Sequence, residues 1–334
     1  MKFMARMFVL FAATAAFATS LFAQQADKHP GIGLYNQQRY VEAISSLESA
    51  LKQKEYKDNA ELLSYLGLSL IESGNPKKGR KPLEKAVGFE PANLGYRVNL
   101  AYAYLTNREV NKSQAETEEV LKLDPKNIPA IYLHGIANSW ERKLDEADAD
   151  ADRILAINPA YPEAYILKSN NQIARMGAKV KASEVGEEIG YLKSAADILE
   201  TGMTKSKEAV NYPKLVAEFE SVNTFYSYFK NRKPWVPGTI VTAEPGVTPL
   251  KILSKPRPGY TDSARQAGSQ GTIQLAILFG ANGRIMNTLV LKGLGYGLDQ
   301  RALAAARKIT FEPKIQDGKP VSSVKIVEYT FAIY

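Results

Sequence analysis

The chain has 334 residues and a formal net charge of +8, and hydrophobic residues make up 45% of it. This length accommodates about two domains of the usual 100 to 200 residues, and the apolar content excludes a disordered or low-complexity protein. Because the sequence contains no cysteine, disulfide bonds, thiolate nucleophiles and cysteine-based zinc sites are also excluded.

Residues 1–23 have the layout of a secretory signal peptide. Lys2 and Arg6 precede an apolar run that closes on small residues, and we predict cleavage after Ala23 and a periplasmic location. The alternative is an uncleaved anchor that tethers the protein to the membrane. The run from Met7 to Ala23 has 17 residues, which is at the short end of membrane-spanning lengths.

Residues 24–180 contain a repeat with a period of 34 residues. Prolines and small residues recur at this interval: Pro91, Pro125 and Pro159, and Gly67, Ala101 and Gly135. A small residue lets two helices approach closely, and a proline ends each helix pair. The pattern resembles tetratricopeptide repeats (TPR), which stack helix pairs into an α-helical solenoid.

The resemblance also implies a peptide-binding groove in the repeat domain. In the family, the first helix of each pair lines the inner surface of the solenoid. The corresponding apolar residues here are Leu68, Tyr102, Leu105, Tyr132 and Ile136. We predict that they bind an extended or helical segment of another protein.

Two further segments separate the repeats from the C-terminal region. Residues 181–232 predict helices, and their aromatic residues are placed to cover the open end of the solenoid. Residues 233–250 are rich in proline, which favours an extended linker over helix or central strand. From Thr248 onward there are 12 Lys or Arg against 5 Asp or Glu, so this end is basic and suited to an acidic partner or anionic envelope material.

The sequence pattern of residues 251–334 predicts two helices and three strands. YTDSARQAG is a helix with Thr261 as its N-cap and Gly268 as its stop, and LDQRALAAARKI is a helix that Asp299 can cap. GTIQLAILF and RIMNTLVLKG form a hairpin around Gly283. VSSVKIVEYTFAIY is a terminal strand, longer than the usual five to six residues.

The terminal strand alternates between two faces. The predicted buried face comprises Val327, Tyr329, Phe331 and Ile333. The opposite face comprises Ile326, Glu328, Thr330, Ala332 and Tyr334. The length of this run raises the question of what the strand pairs with.

The region from about residue 250 to 334 resembles the C-terminal domain of TonB energy-transducing proteins. The motif positions that carry the resemblance are Tyr260, Gly271, Gly283, Asp299 and Pro313. It implies a small α/β sandwich with a three-stranded antiparallel sheet and two helices, so the whole chain is α+β. In the family, the last strand receives an extended segment of an outer-membrane transporter. The resemblance therefore implies that the terminal strand here is an exposed edge that pairs with a partner.

The sequence also departs from that family. Thr261 follows Tyr260 where the family commonly has proline, and the N-terminal apolar run lacks a His, Asp or Glu for coupling to an inner-membrane motor. Repeats replace the long Pro-rich spacer. Energy transduction therefore does not follow from the resemblance.

The sequence offers few residues suited to catalysis or metal binding, which favours a protein that is not an enzyme. Only His29 and His134 are present, and we interpret His134 as a packed or groove-lining residue, with no cofactor or metal expected. KGLGYGLD lacks the third glycine of a dinucleotide-binding turn, and LDEADADAD is typical of the solvated face of a repeat helix.

These observations predict a periplasmic adaptor. Its terminal strand docks a transporter segment, its repeats bind a second protein, and no nucleic acid is involved. The alternative is a structural envelope scaffold whose basic C-terminal domain contacts cell-wall polymer. An edge strand of this kind also permits a homodimer.

Overall fold

The computed structural model describes residues 29–179, 189–230, 246–261, 264–265 and 268–333. The chain divides into two compact units, one ending at Leu167 and including Ala209–Asn211, the other formed by the rest. The predicted signal peptide and the predicted linker up to residue 245 lie outside the described residues. Within the described part of the chain, no helix has the length and apolar character to span a membrane.

The first unit is built from antiparallel helix pairs, as the 34-residue period predicts. Its helices are α1 Pro30–Asn36, α2 Tyr40–Leu51, α3 Ala60–Glu72, α4 Pro76–Phe89, α5 Leu94–Thr106, α6 Val110–Leu123, α7 Ile128–Trp140, α8 Leu144–Ile157 and the start of α9 Pro162–Lys179.

The first helix of three successive pairs begins in the same way. Asn59, Asn93 and Asn127 are the N-caps of α3, α5 and α7, and they are spaced by 34 residues. Each side-chain oxygen accepts a hydrogen bond from the backbone N–H three residues later, at 2.9, 3.3 and 3.1 Å. These bonds satisfy N–H groups that have no partner inside the helix.

Glycines allow the two helices of a pair to touch backbone to backbone. A Cβ atom added to Gly67 in α3 would lie 2.7 Å from the carbonyl oxygen of Gly79 in α4, and one added to Gly79 would lie 2.5 Å from the oxygen of Gly67. Leu83 is fully buried beside this contact. The close approach predicted for Gly67 is therefore observed.

The second unit begins with the end of α9, followed by α10 Ile189–Lys205 and α11 Tyr212–Lys230. Where it is described, the predicted helical extension thus consists of two helices joined by a turn at residues 206–211. Phe225 is fully buried and Phe229 nearly so, and α11 contacts strand β4. By contacts, the extension belongs to the same unit as the C-terminal sheet.

The rest of the second unit is a set of small antiparallel sheets with one helix between strands. Its elements are β1 Val247–Thr248, β2 Lys251–Ser254, β3 Gly271–Phe279, β4 Ile285–Lys292, α12 Leu298–Ala306, β5 Thr310–Glu312, β6 Lys314–Gln316, β7 Lys319–Val321 and β8 Ser323–Phe331. The strand orders are β4-β3-β8, β1-β6-β7 and β2-β5. The predicted three-stranded antiparallel sheet and the α+β class are confirmed.

Three short pairings were not predicted, and one of them joins β2 to β5 through Ile252 and Phe311. Val247 and Thr248, at the end of the predicted linker, pair with Gln316 and Ile315, so the predicted linker includes residues that belong to a sheet. Strands β6 and β7 form a hairpin that turns at Asp317 and Gly318, both with positive φ. The terminal strand β8 consequently has nine residues, and the longer predicted strand is wrong.

The first helix predicted in this region lies largely outside the described residues. Where it is described, Thr261 acts as expected, because its hydroxyl accepts a hydrogen bond from the Ala264 N–H at 3.2 Å. Gly268 has a φ of +62°, as a helix-terminating glycine should.

Candidate functional site

Strand β8 lies at an edge of its sheet. It pairs with β3 from Phe279–Ser323 to Gly271–Phe331, and the sheet order gives it no second neighbour among the described strands. A strand in this position presents backbone N–H and C=O groups that another strand can bind.

The inner face of β8 anchors the strand in the core. Val327, Tyr329 and Phe331 are buried and pack in the same apolar cluster as Ala302 and Phe279. Their burial holds β8 in one register, because a one-residue slip would turn these side chains to solvent. The edge is therefore fixed in place.

The outer face of β8 is polar and tied to β3. The carboxylate of Glu328 accepts a hydrogen bond from Gln274 Nε2 at 2.8 Å, and the hydroxyls of Thr330 and Thr272 lie 3.2 Å apart. Glu328 and Ile326 are half-buried, and Thr330 is exposed. These side chains lie on the face of the sheet, so the groups at the edge are the backbone N–H and C=O groups of β8.

The last predicted residues do not belong to the strand. Ala332 and Ile333 follow the end of β8, and Tyr334 lies outside the described residues. Ile333 is 42% exposed, so its assignment to the buried face is wrong. The alternation continues in the sequence, but the core beneath it ends at Phe331.

Lys255 contacts the edge strand, and no sequence pattern indicates this contact. Its Nζ donates a hydrogen bond to the backbone oxygen of Glu328 at 3.1 Å and lies 5.4 Å from the centre of the Tyr329 ring. Burial raises the pKa of Tyr329 to about 12, so this ring is neutral at physiological pH. The two residues joined by the hydrogen bond are 73 positions apart.

Three of the motif residues have structural roles. The Tyr260 hydroxyl donates to the Ser269 oxygen at 2.9 Å, and its ring packs edge-on against Phe331. Gly283 has a φ of +75° in the turn between β3 and β4. A Cβ added to Gly271, at the start of β3, would lie 2.8 Å from Leu294. Tyr260 thus packs directly against the edge strand.

Asp299 does not cap α12 as predicted. Its carboxylate accepts hydrogen bonds from the backbone N–H groups of Leu294 and Gly295, at 2.8 and 3.1 Å, in the loop that precedes the helix. Gly297, with a φ of +76°, occupies the N-cap position. Asp299 therefore holds the KGLGYGLD loop.

Pro313, the remaining motif position, separates β5 from β6 and lines a shallow cleft of about 590 Å³. The other lining residues are Thr248, Pro249, Leu250, Lys251, Glu312 and Ile315. The ion pair between Lys251 and Glu312, at 3.6 Å, is exposed. The lining is mostly apolar and contains no pair of groups arranged for catalysis.

The opposite edge of the sheet, β4, is approached by helices of the same unit. A Cβ added to Gly177 of α9 would clash with the Leu291 oxygen, and α11 also contacts β4. Glycine is the residue that permits this approach. The two edges of the sheet thus differ in their surroundings.

The predicted groove residues all lie in the interior of the repeat unit. Their exposed fractions are between 2 and 7%, for Leu68, Tyr102, Leu105, Tyr132 and Ile136. All five belong to one apolar cluster of the stacked helices. Their role in binding a partner stays a prediction.

The histidine and the acidic run meet in a partly buried polar network. His134 Nδ1 lies 2.7 Å from Asp150 Oδ2, which also accepts from Asn138 at 3.0 Å, and Arg153 contacts Asp150 Oδ1 at 3.1 Å. Asp150 is 4% exposed, so the interpretation of the whole acidic run as a solvated face is wrong. His134 is a packed residue of the helix stack.

No cluster of three or more His, Asp or Glu side chains that could hold a metal occurs in the described part of the chain. The interactions assembled at β8 are hydrogen bonds and apolar contacts. This arrangement can bind the extended backbone of another segment through hydrogen bonds.

The chain shares limited similarity with known proteins. Mouse protein O-mannosyl-transferase TMTC3 is 26% identical over 161 residues, 44% of this chain, and the match spans 17% of that relative's length. Among solved structures, TTC0263, a thermophilic TPR protein in Thermus thermophilus, is 18% identical, with a TM-score of 0.47, over 58% of this chain and 95% of its own.

The solved structure of MamA AMB-1 is 19% identical to this chain, with a TM-score of 0.42, and the match covers 51% of this chain and 96% of MamA. A family model matches the C-terminal part. Residues 256–333, which carry the edge strand, match the family described as Gram-negative bacterial TonB protein C-terminal.

Proposed function

We propose that this protein is a non-enzymatic periplasmic adaptor whose edge strand β8 docks an extended segment of a TonB-dependent outer-membrane transporter. The observation that carries the proposal is the position of β8 at the edge of the sheet, inside the region that matches the TonB C-terminal family. Docking by an added strand needs only backbone groups and a rigid edge. The buried Val327, Tyr329 and Phe331 provide the rigidity.

The repeats supply the second function of the adaptor. TPR units form extended surfaces for protein partners, so the repeat domain binds another envelope protein while the sheet holds the transporter. The periplasmic location rests on the signal-like N-terminal sequence and on the envelope family matched by residues 256–333. The basic C-terminal charge supports an acidic docking partner.

One hydrogen bond indicates which residues of β8 point their backbone N–H and C=O groups toward the open edge. In an antiparallel pair, successive residues alternate between exchanging both backbone bonds with the neighbouring strand and exchanging neither. Because the Glu328 oxygen accepts from Lys255, which lies outside the β3–β8 ladder, we infer that Glu328 points its backbone groups to the open edge. Thr330, two residues later, then points the same way.

The test is proline substitution at Thr330, with alanine as the matched control. Thr330→Pro removes the outward N–H and should abolish binding of synthetic peptides that copy the periplasmic extended segments of transporters. Thr330→Ala should retain most binding. Both variants lose the contact between the Thr330 and Thr272 hydroxyls equally, and both should keep the wild-type circular dichroism spectrum, because the backbone hydrogen bonds from β8 to β3 are unchanged.

A folded Thr330→Pro variant that binds the peptides as wild type does would exclude β8 as the docking edge. Binding of the wild-type chain to isolated cell-wall material, with none to the peptides, would favour the envelope scaffold instead.

A further inference from the structure

Lys255 donates a hydrogen bond to the Glu328 backbone oxygen, which a docking strand would also need. The ammonium group donates to the Glu328 oxygen at 3.1 Å, and the lysine side chain is exposed to solvent. A strand added to the edge of β8 needs this oxygen as the acceptor for one of its own N–H groups. The lysine and the incoming strand therefore compete for one acceptor.

The segment around Lys255 is built to contact the edge without pairing with it. No backbone hydrogen bond joins residues 255–260 to β8, and all of these residues are described. Pro256 and Pro258 have no N–H to donate to a ladder. Contact is made by side chains, through Lys255 on Glu328 and Tyr329 and through Tyr260 on Phe331.

The charges beside the open edge are positive. Lys255 and the exposed Lys325 are cations, and the one carboxylate on the described part of β8, that of Glu328, already accepts a hydrogen bond from Gln274. An ammonium group that leaves the Glu328 oxygen loses a hydrogen bond. A carboxylate on the incoming strand would replace it with a charge-assisted bond.

We propose that Lys255 sets the charge preference of the docking edge, so that β8 selects an extended segment carrying a carboxylate next to the residue that bonds Glu328. This inference rests on the proposed docking function and names the chemistry of the partner. On docking, the Lys255 ammonium moves from the Glu328 oxygen to the partner's carboxylate, and the partner's backbone N–H takes the oxygen. A neutral segment displaces the lysine without offering it a new partner.

The test uses two short peptides of Thr and Val, residues that favour strands, which differ only in having Glu or Gln at one central position. Binding to the full chain is measured by fluorescence anisotropy. The wild-type chain should bind the Glu peptide about fivefold more tightly, as expected for a partly exposed ion pair. The preference should shrink as salt screens the charges.

Lys255→Met should abolish the preference and bind the Gln peptide more tightly than wild type does, because the Glu328 oxygen is then free. Lys292→Met is the matched control. It removes the same charge from the same sheet, at the exposed end of β4, and should leave the preference unchanged.

Equal binding of both peptides by wild type, or an unchanged preference in Lys255→Met, would overturn the role of Lys255 and leave the docking edge standing. Failure of the wild-type chain to bind either peptide would instead remove the docking function, and the inference with it.

Discussion

The contact between Gly67 and Gly79 makes a prediction about the stability of the repeats. Gly79→Ala places a methyl group 2.5 Å from the Gly67 oxygen and 2.7 Å from Ile71 Cγ1, so α3 and α4 must move apart. Overpacking of this kind costs about 1–3 kcal/mol. The higher helix propensity of Ala than of Gly stabilises α4 by about 1 kcal/mol. The free energy of unfolding should therefore fall by about 0–2 kcal/mol.

Gly88→Ala, in the same helix, isolates the propensity term. Gly88 is exposed, and an added Cβ has nothing within 4 Å, so this variant should be more stable than wild type by about 0.5–1 kcal/mol. The difference between the two alanine variants is then the steric cost alone, about 1–3 kcal/mol.

Urea unfolding followed by circular dichroism measures this difference, and hydrogen exchange in α3 and α4 assigns it to the helix pair. If Gly79→Ala is as stable as Gly88→Ala, the two backbones are not in contact, and the packing argument is wrong.

Three further outcomes are expected. Asn127→Ala should lower stability by about 1 kcal/mol, because the Ala130 N–H loses its acceptor, and Asn127→Asp should restore it. Burial raises the pKa of Glu72, so the folded chain holds this proton at a pH where the unfolded chain has released it. Stability should therefore fall as the pH rises from the ordinary glutamate pKa through the folded pKa, and Glu72→Gln should flatten that part of the profile in urea titrations at several pH values. Asp299→Ala should cost about 1–3 kcal/mol in thermal unfolding, because two loop N–H groups lose a charged acceptor, and a wild-type melting temperature would contradict the loop contact.

The sequence predicted the parts of the fold that carry a periodic signal. The repeats follow from prolines and small residues at a constant interval, and β3 and β4 follow from alternation on either side of Gly283. The hairpin of β6 and β7 was missed because three-residue strands are too short to show alternation. It also shortened β8, since residues assigned to one long strand divide between β7 and β8.

Contacts between distant residues explain what the sequence could not supply at the candidate site. The position of β8 at an edge was predicted from family resemblance, whereas the hydrogen bond from Lys255 joins residues 73 positions apart and leaves no local pattern. Asp150 lies in a helix face that composition marks as solvated, and its burial depends on His134 and Asn138 of the preceding helix. Asp299 was predicted to cap the helix, because N-capping is the common use of such a residue, whereas it accepts hydrogen bonds from the loop that precedes the helix.

The pairing of β3 with β8 also determines the order in which the chain folds. Successive helices of the repeats meet within about one period, whereas Gly271 and Phe331 pair across 60 positions (331 − 271). Because closing a longer loop costs more entropy and slows folding, the repeats should form in an early kinetic phase and the sheet in a later one. Between the two phases, one side of β3 has no partner and is open to another chain. The yield of refolding should therefore fall as protein concentration rises, while the rate of helix formation stays constant.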